Sequence, residues 1–155
     1  MPHISSYKTK DIAKITLAVM TLLCGSGIYL LFRSKSLNIY KWCSALGFSN
    51  NIDSMRFVAN NWNVSEFVKF SLPDGLYCAA YMLTMDVIWN KENGWIKHVA
   101  IFLVPFITIS SEVLQYFGFV KGTFDYCDLV CYAIPPIIYL LLIYFQKRTF
   151  KIVTK

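Results

Sequence analysis

Apolar residues in this chain gather into four runs, separated by two short polar connections and one long segment of mixed character. The runs cover about Ala13 to Phe32, Leu72 to Trp89, Trp95 to Phe117 and Asp128 to Phe145. A helix rising ~1.5 Å per residue needs roughly 20 residues to cross a hydrocarbon core of about 30 Å, and each run is close to that length. The pattern therefore predicts an all-α integral membrane protein, with four transmembrane helices forming one membrane domain over the chain. Lys8, Lys10 and Lys14 precede the first run in the manner of a secretory signal. That run is nevertheless longer than a signal core and no small-x-small cleavage site follows it, so it is expected to be retained as a helix.

The segment from Arg33 to Ser71 has its own periodicity. Between Leu37 and Phe48, the residues Ile39, Tyr40, Cys43, Leu46 and Gly47 recur at helical spacing beside Lys41 and Trp42. That spacing predicts an amphipathic helix lying in the membrane interface. Such a helix would either roof a site between the spanning helices or simply anchor Tyr40 and Trp42 at headgroup level.

Composition agrees with a chain in lipid, since 56% of residues are apolar and only 15% are charged. The formal charge of +6 does not point to nucleic acid, because no basic stripe with interleaved aromatics is present. Instead, Lys and Arg sort by side. Lys8, Lys10, Lys14, Lys91, Lys97, Lys147, Arg148, Lys151 and Lys155 fall on one side of the bilayer, and Arg33, Lys35, Lys41, Arg56, Lys69 and Lys121 on the other. The larger group is expected to be cytoplasmic, with both termini, which leaves the long loop outside. The five cysteines Cys24, Cys43, Cys78, Cys127 and Cys131 are odd in number and suggest no disulfide framework.

The same topology brings three acidic motifs to the outer face: Ser71-Leu-Pro-Asp74, Glu112-x-x-Gln115 and Gly122-Thr-Phe-Asp125-x-x-Asp128. Ionisable groups at bilayer depth are costly and mark working sites by default. Asp74 can be read as part of a capping box, or with Tyr77 and Tyr81 as a polar stripe at i, i+3 and i+7. Asp125, Asp128 and Tyr132 repeat that spacing at the start of the fourth helix, where Thr123 or Asp125 would cap and Asp128 is the deeper acid. Glu112 has no capping role, because it precedes a helix C-terminus, where the macrodipole disfavours negative charge. Its same-face neighbour is Gln115, and a bundle-bonding role for the pair is the alternative to a functional one.

Four facing acids require counter-charge. Arg33, Lys69 and Lys121 are the candidate cations. Mg²⁺ or Ca²⁺ held by Glu112, Asp125 and Asp128 is a second solution, although no cofactor is predicted outright. A histidine-based zinc site is not expected, since His3 and His98 lie away from the acids. A pocket of this chemistry would suit a phosphate-bearing lipid, through the metal or through Arg33 and Lys121.

Glu112-x-x-Gln115, the basic Lys121 in the next turn, Asp128 on the following helix and Asp74 opening the preceding one resemble the VanZ-like family of small bacterial membrane proteins. The resemblance covers about residues 72–132. Lys121 stands where that family more often has Arg, Tyr132 where it has Asn, and Tyr77 where it tends to have His. It implies a multi-pass protein of the bacterial cytoplasmic membrane, linked in some members to tolerance of glycopeptides, and it brings no established reaction.

The sequence thus predicts a small polytopic protein whose outer-leaflet pocket binds a polar lipid or cell-envelope precursor, with Asp74, Tyr77, Tyr81, Glu112, Gln115, Lys121, Asp125, Asp128, Tyr132 and Arg33 around it. Membrane lipids are the expected partners, with a second copy or another membrane protein as further partners, and no nucleic acid. An enzyme would use Glu112 or Asp128 as general base. The other classes are an oligomeric channel or membrane-effector subunit and a structural or interaction module.

Overall fold

The computed structural model describes residues 3–92 and 94–153, with side chains described over 9–92 and 94–145. The charged side chains of Lys8, Lys147, Arg148, Lys151 and Lys155, which entered the count by side, lie outside the described residues, as does that of His3. Seven helices and no strand occur among the described residues: α1 (His3–Phe32), α2 (Asn38–Ala45), α3 (Ser49–Ala59), α4 (Glu66–Phe70), α5 (Leu72–Ile88), α6 (Trp95–Tyr116) and α7 (Tyr126–Val153). The all-α expectation holds. Three stretches are long and apolar enough to cross a membrane: Thr9–Phe32, Trp95–Tyr116 and Tyr126–Phe145. That is the build of a multi-pass membrane protein.

The expected fourth span corresponds to α5, and it falls outside that group. Its 17 residues reach about 25 Å at ~1.5 Å each, short of a full hydrocarbon core. Its role explains the departure. α5 packs against α1, α6 and α7 in turn, and it buries Pro73, Gly75, Cys78, Ala80, Met82 and Asp86. A helix packed against three others need not be apolar on the faces they cover, so α5 can carry Asp74 and Asp86 near its two ends.

Small residues and prolines set how closely α5 is approached. Pro135 and Pro136 lie inside α7 and have no N–H, so the carbonyls of Cys131 and Tyr132 lose their usual i+4 donors. α5 covers both. A Cβ on Gly75 would stand 2.9 Å from the Cys131 carbonyl oxygen, and the Cys78 thiol points at the Tyr132 carbonyl from 3.9 Å. Below this contact Cys78, Met82 and Ile101 form the core, packed by Tyr81, Met85, Phe102, Tyr132 and Tyr139.

One carboxylate joins the four long helices at the far end. Asp86 of α5, 6% exposed, accepts from Lys14 of α1 at 2.6 Å, Tyr139 of α7 at 2.9 Å and Lys97 of α6 at 3.1 Å. Asn90 adds a two-point contact to Asp11 at 2.8 and 2.9 Å. A buried charge is tolerated only when it is paired and hydrogen-bonded, and Asp86 is given three donors from three different helices.

Between α1 and α5 the loop forms three helices where the periodicity predicts one. α2 matches the expected amphipathic segment, and Gly47 at φ +84° ends it with the Phe48 N–H on the Cys43 carbonyl. α3 is clamped to the end of α1 by Arg56, whose guanidinium donates to the Leu30 and Arg33 carbonyls at 2.8 and 2.6 Å. Those are orphan acceptors of a helix C-terminus, so a cation there is doubly favourable. Lys35 and Tyr40 both donate to Asp53, at 2.8 and 3.0 Å, and the Lys35 ammonium holds the Asp53 carboxyl below the usual range.

Two substitutions test this architecture. Asp86→Ala strands Lys97 and Lys14 and should cost about 3 kcal/mol, whereas Lys14→Ala, which removes a partly exposed partner, should cost about 1 kcal/mol or less; equal losses in reversible unfolding in detergent would contradict the hub. Gly75→Leu should destabilise by more than about 2 kcal/mol through overpacking against α7, and an unchanged unfolding midpoint would show that the approach is not close.

Candidate functional site

Antiparallel packing carries the C-terminal ends of α1 and α6 and the N-terminal ends of α5 and α7 to one end of the bundle, opposite Asp86. Tyr29 of α1 reaches Asp74 of α5, and Glu112 of α6 reaches the turn into α7. Asp128 of α7 acts electrostatically on both Asp74 and Glu112. The three acidic motifs therefore meet, as the topology count requires, although their members play unequal parts.

Asp74 does not cap its helix. Ser71, the last residue before α5, is itself in the right-handed helical region and makes no side-chain cap bond, because α4 runs almost directly into α5 and leaves no extended residue from which a hydroxyl could fold back. Asp74 is instead held from the side: the Tyr29 hydroxyl donates to its Oδ1 at 2.6 Å, and Tyr132 lines the same cavity. Tyr29 was not among the residues expected here. Its spacing of four from Arg33 is the signal that marks it, since both then lie on one face of α1.

Arg33 stands behind Tyr29. Its guanidinium lies 5.0 Å from the Tyr29 ring centroid and 4.8 Å from that of Phe70, and it donates to the Tyr29 hydroxyl at 3.4 Å and the Phe70 carbonyl at 3.3 Å. The cation thus reaches the acids through a phenol. Tyr77 packs its ring 5.5 Å from that of Tyr29 and donates to Ser26 at 3.2 Å.

Glu112 is buried, 7% exposed, and its Oε2 accepts the backbone N–H of Asp125 at 3.4 Å. The macrodipole argument that isolated it on α6 is answered by a neighbour, because this N–H belongs to the residue that opens α7, where partial charge is positive. Asp125 is the cap of α7: its Oδ1 accepts the Cys127 N–H at 2.8 Å, and it is exposed. Asp128 remains, half-buried, with an Oδ1 that is shielded from solvent and has no hydrogen-bond partner.

The other expected members separate. Gln115 turns toward Ser111 at 3.4 Å and its amide fills the space beside Gly122, where a Cβ would approach to 2.6 Å; it shapes the turn. Gly118 at φ +74° closes α6 just before it. Lys121 is exposed and forms no ion pair with the acids among the described residues. Tyr81 donates to the Ala100 carbonyl of α6 at 2.7 Å, deeper in the bundle, and serves the α5–α6 contact. Among the described residues no three His, Cys, Asp or Glu side chains are arranged to hold a metal, so Glu112, Asp125 and Asp128 do not form a ready cage.

A cavity of about 160 Å³ opens at this end, lined by Asp74, Tyr77, Cys78, Val104, Thr108 and Tyr132. Thr108 spends its hydroxyl on the carbonyls of Val104 and Pro105. The polar capacity of the cavity therefore lies with Asp74, Tyr77 and Tyr132, and with Asp128 and Glu112 one helical turn beyond Tyr132 and Thr108. It is rich in acceptors and short of cations. Such a place favours a group that brings hydrogen-bond donors or positive charge.

Sequence reasoning missed the Asp86 hub entirely. Its signal is a single acid twelve residues after Asp74 in an apolar run, with Lys14 and Lys97 just inside neighbouring runs, where they enter only the sorting of charge by side.

No protein-family model matches this chain, and no curated protein and no solved structure is similar to it.

Proposed function

We propose that the acidic end of the bundle is a binding site for the polar headgroup of a membrane lipid or envelope precursor, recognised through the headgroup's hydrogen-bond donors. The observation that carries this reading is the shielded, unpartnered Oδ1 of Asp128, one helical turn from Tyr132 of a cavity whose charged lining residue is Asp74. Leaving such an acceptor unsatisfied costs about 1–3 kcal/mol, which a ligand donor would recover. The phosphate-centred version of the reading is the weaker one, because Arg33 stands behind Tyr29 and donates to it and to the Phe70 carbonyl, with only its Nε unpartnered, and Lys121 forms no ion pair with the acids among the described residues.

In this reading α5 is a fourth, short membrane helix sheltered by the other three, and the chain sits in a bacterial cytoplasmic membrane with its acidic end outward. A pore within one chain is disfavoured, since α5 fills the axis of the bundle; a conducting path would have to run between copies.

The test compares two headgroups that differ in donors. Phosphatidylethanolamine carries an ammonium with three N–H donors, and phosphatidylcholine has none. The purified protein in detergent should gain thermal stability with the first lipid and little with the second, as a ligand specific for the folded state requires. Asp128→Asn and Glu112→Gln should each weaken that effect about 10- to 100-fold in apparent affinity while circular dichroism stays unchanged. Equal stabilisation by both lipids in the wild type would remove the donor-recognition reading.

A further inference from the structure

A second concavity lies on the other side of α5. α1 and α7 both flank α5 without closing over it, and between them runs a groove of about 350 Å³. Leu76, Ala79 and Leu83 of α5 form its floor, with Leu17 on the α1 wall and Ile134 and Ile138 on the α7 wall. Two hydroxyls lie along it, and both are engaged elsewhere. Thr21 donates to its own helix at the Ala18 and Leu17 carbonyls, and Tyr139 donates to Asp86. The groove therefore offers a ligand nothing but hydrocarbon contact.

From this geometry we infer that the groove seats one acyl chain of the same lipid whose headgroup meets the acidic end, an inference that rests on the headgroup reading above for the ligand's polar part. Three observations select the occupant. First, both walls belong to stretches of membrane-crossing length, so the groove is continuous with the surface they present to hydrocarbon, where acyl chains are the available solvent.

Second, the width suits a thin occupant. A helix about 10–12 Å across could enter only by its side chains, resting on the exposed Leu17 and Ile138 of the two walls. A single unbranched chain is thin enough to enter.

Third, the groove leads to the acids. Its lining includes Leu72, Gly75 and Cys131. Gly75 is next in sequence to Asp74, and Cys131 lies one helical turn after Asp128. A chain lying against α5 and α7 would place its polar end at the height of Asp128. The protein thus takes the lipid in two parts, apolar tail along one face of α5 and donor-bearing head above it.

Native mass spectrometry of the protein released from nanodiscs of dioleoyl phosphatidylcholine and dioleoyl phosphatidylethanolamine in equal amounts tests both parts. The wild type should retain one lipid per chain, enriched at least tenfold in phosphatidylethanolamine. Ala79→Phe fills the floor and should reduce retention of both lipids more than tenfold; Ile138→Phe, reaching in from the opposite wall, should do the same and guards against misfolding of the first variant. Asp128→Asn should keep one retained lipid but lose the enrichment. Retention without headgroup preference in the wild type sustains the groove and sinks the headgroup reading. Preference that survives both groove-filling variants sinks the groove instead, and so does a lipid-free dimer in the wild type that either variant disrupts.

Discussion

Everything at the far end of this molecule is organised by the Asp86 carboxylate. A lone charge buried among Met82, Tyr139 and their neighbours would be far too costly to keep, and the chain meets that cost by drawing a donor from each of the other three long helices. Lys14, Lys97 and Tyr139 come from α1, α6 and α7, and Asp86 is their common acceptor. Such pairs add little net stability over an apolar core, but they discriminate strongly among arrangements, because any slip of one helix leaves an unpaired charge behind. The hub therefore sets the rotation and depth of each helix relative to α5, and with them the positions of groups at the other end.

Proline chemistry carries that alignment along the α5–α7 contact. Pro135 and Pro136 withdraw two N–H donors from α7, which would normally bend a helix and expose carbonyls. Here the exposed carbonyls belong to Cys131 and Tyr132, and α5 presents to them its smallest residue, Gly75, and a thiol, Cys78. The close approach that follows brings Asp74 and Tyr132 into one cavity. A bulky residue at position 75 would separate α5 from α7 and pull that cavity open without touching any of its polar members.

Which parts of this were readable from the sequence follows from how local their causes are. The spanning runs, the two tight turns and the meeting of Asp74, Glu112 and Asp128 at one end depend on hydropathy and on the direction of successive helices, both of which a linear reading contains. The role of each acid does not. Asp74 looks like a cap because Ser71 precedes it at the right spacing, yet α4 abuts α5 and removes the extended residue that capping needs. Glu112 looks unsupported because its donor, the Asp125 N–H, lies thirteen residues on and across a turn. The Asp86 hub lies beyond a linear reading for a related reason: Lys14 and Lys97 sit at the ends of apolar runs, where the sequence gives them only a side of the bilayer, and packing turns them inward. α5 itself, a little too short to span, becomes intelligible once it is seen to pack against α1, α6 and α7.

The two ends of α5 now pose a contrast that bears on function. Each carries an aspartate, twelve residues apart on the same helix. Asp86 receives three donors, two of them cationic, and is saturated. Asp74 shares its end with Glu112 and Asp128, receives one phenolic donor, and meets the Arg33 guanidinium through Tyr29. If membrane burial alone governed these positions, both ends would have converged on the saturated solution, since the fold demonstrates that α5 can be supplied with lysines. At the acidic end the polar groups are left unmatched: Asp128 holds one buried oxygen and Arg33 one buried guanidinium nitrogen without a partner. Unmatched groups kept at one end and avoided at the other are what a binding site requires, because the missing partners are the ones a ligand brings.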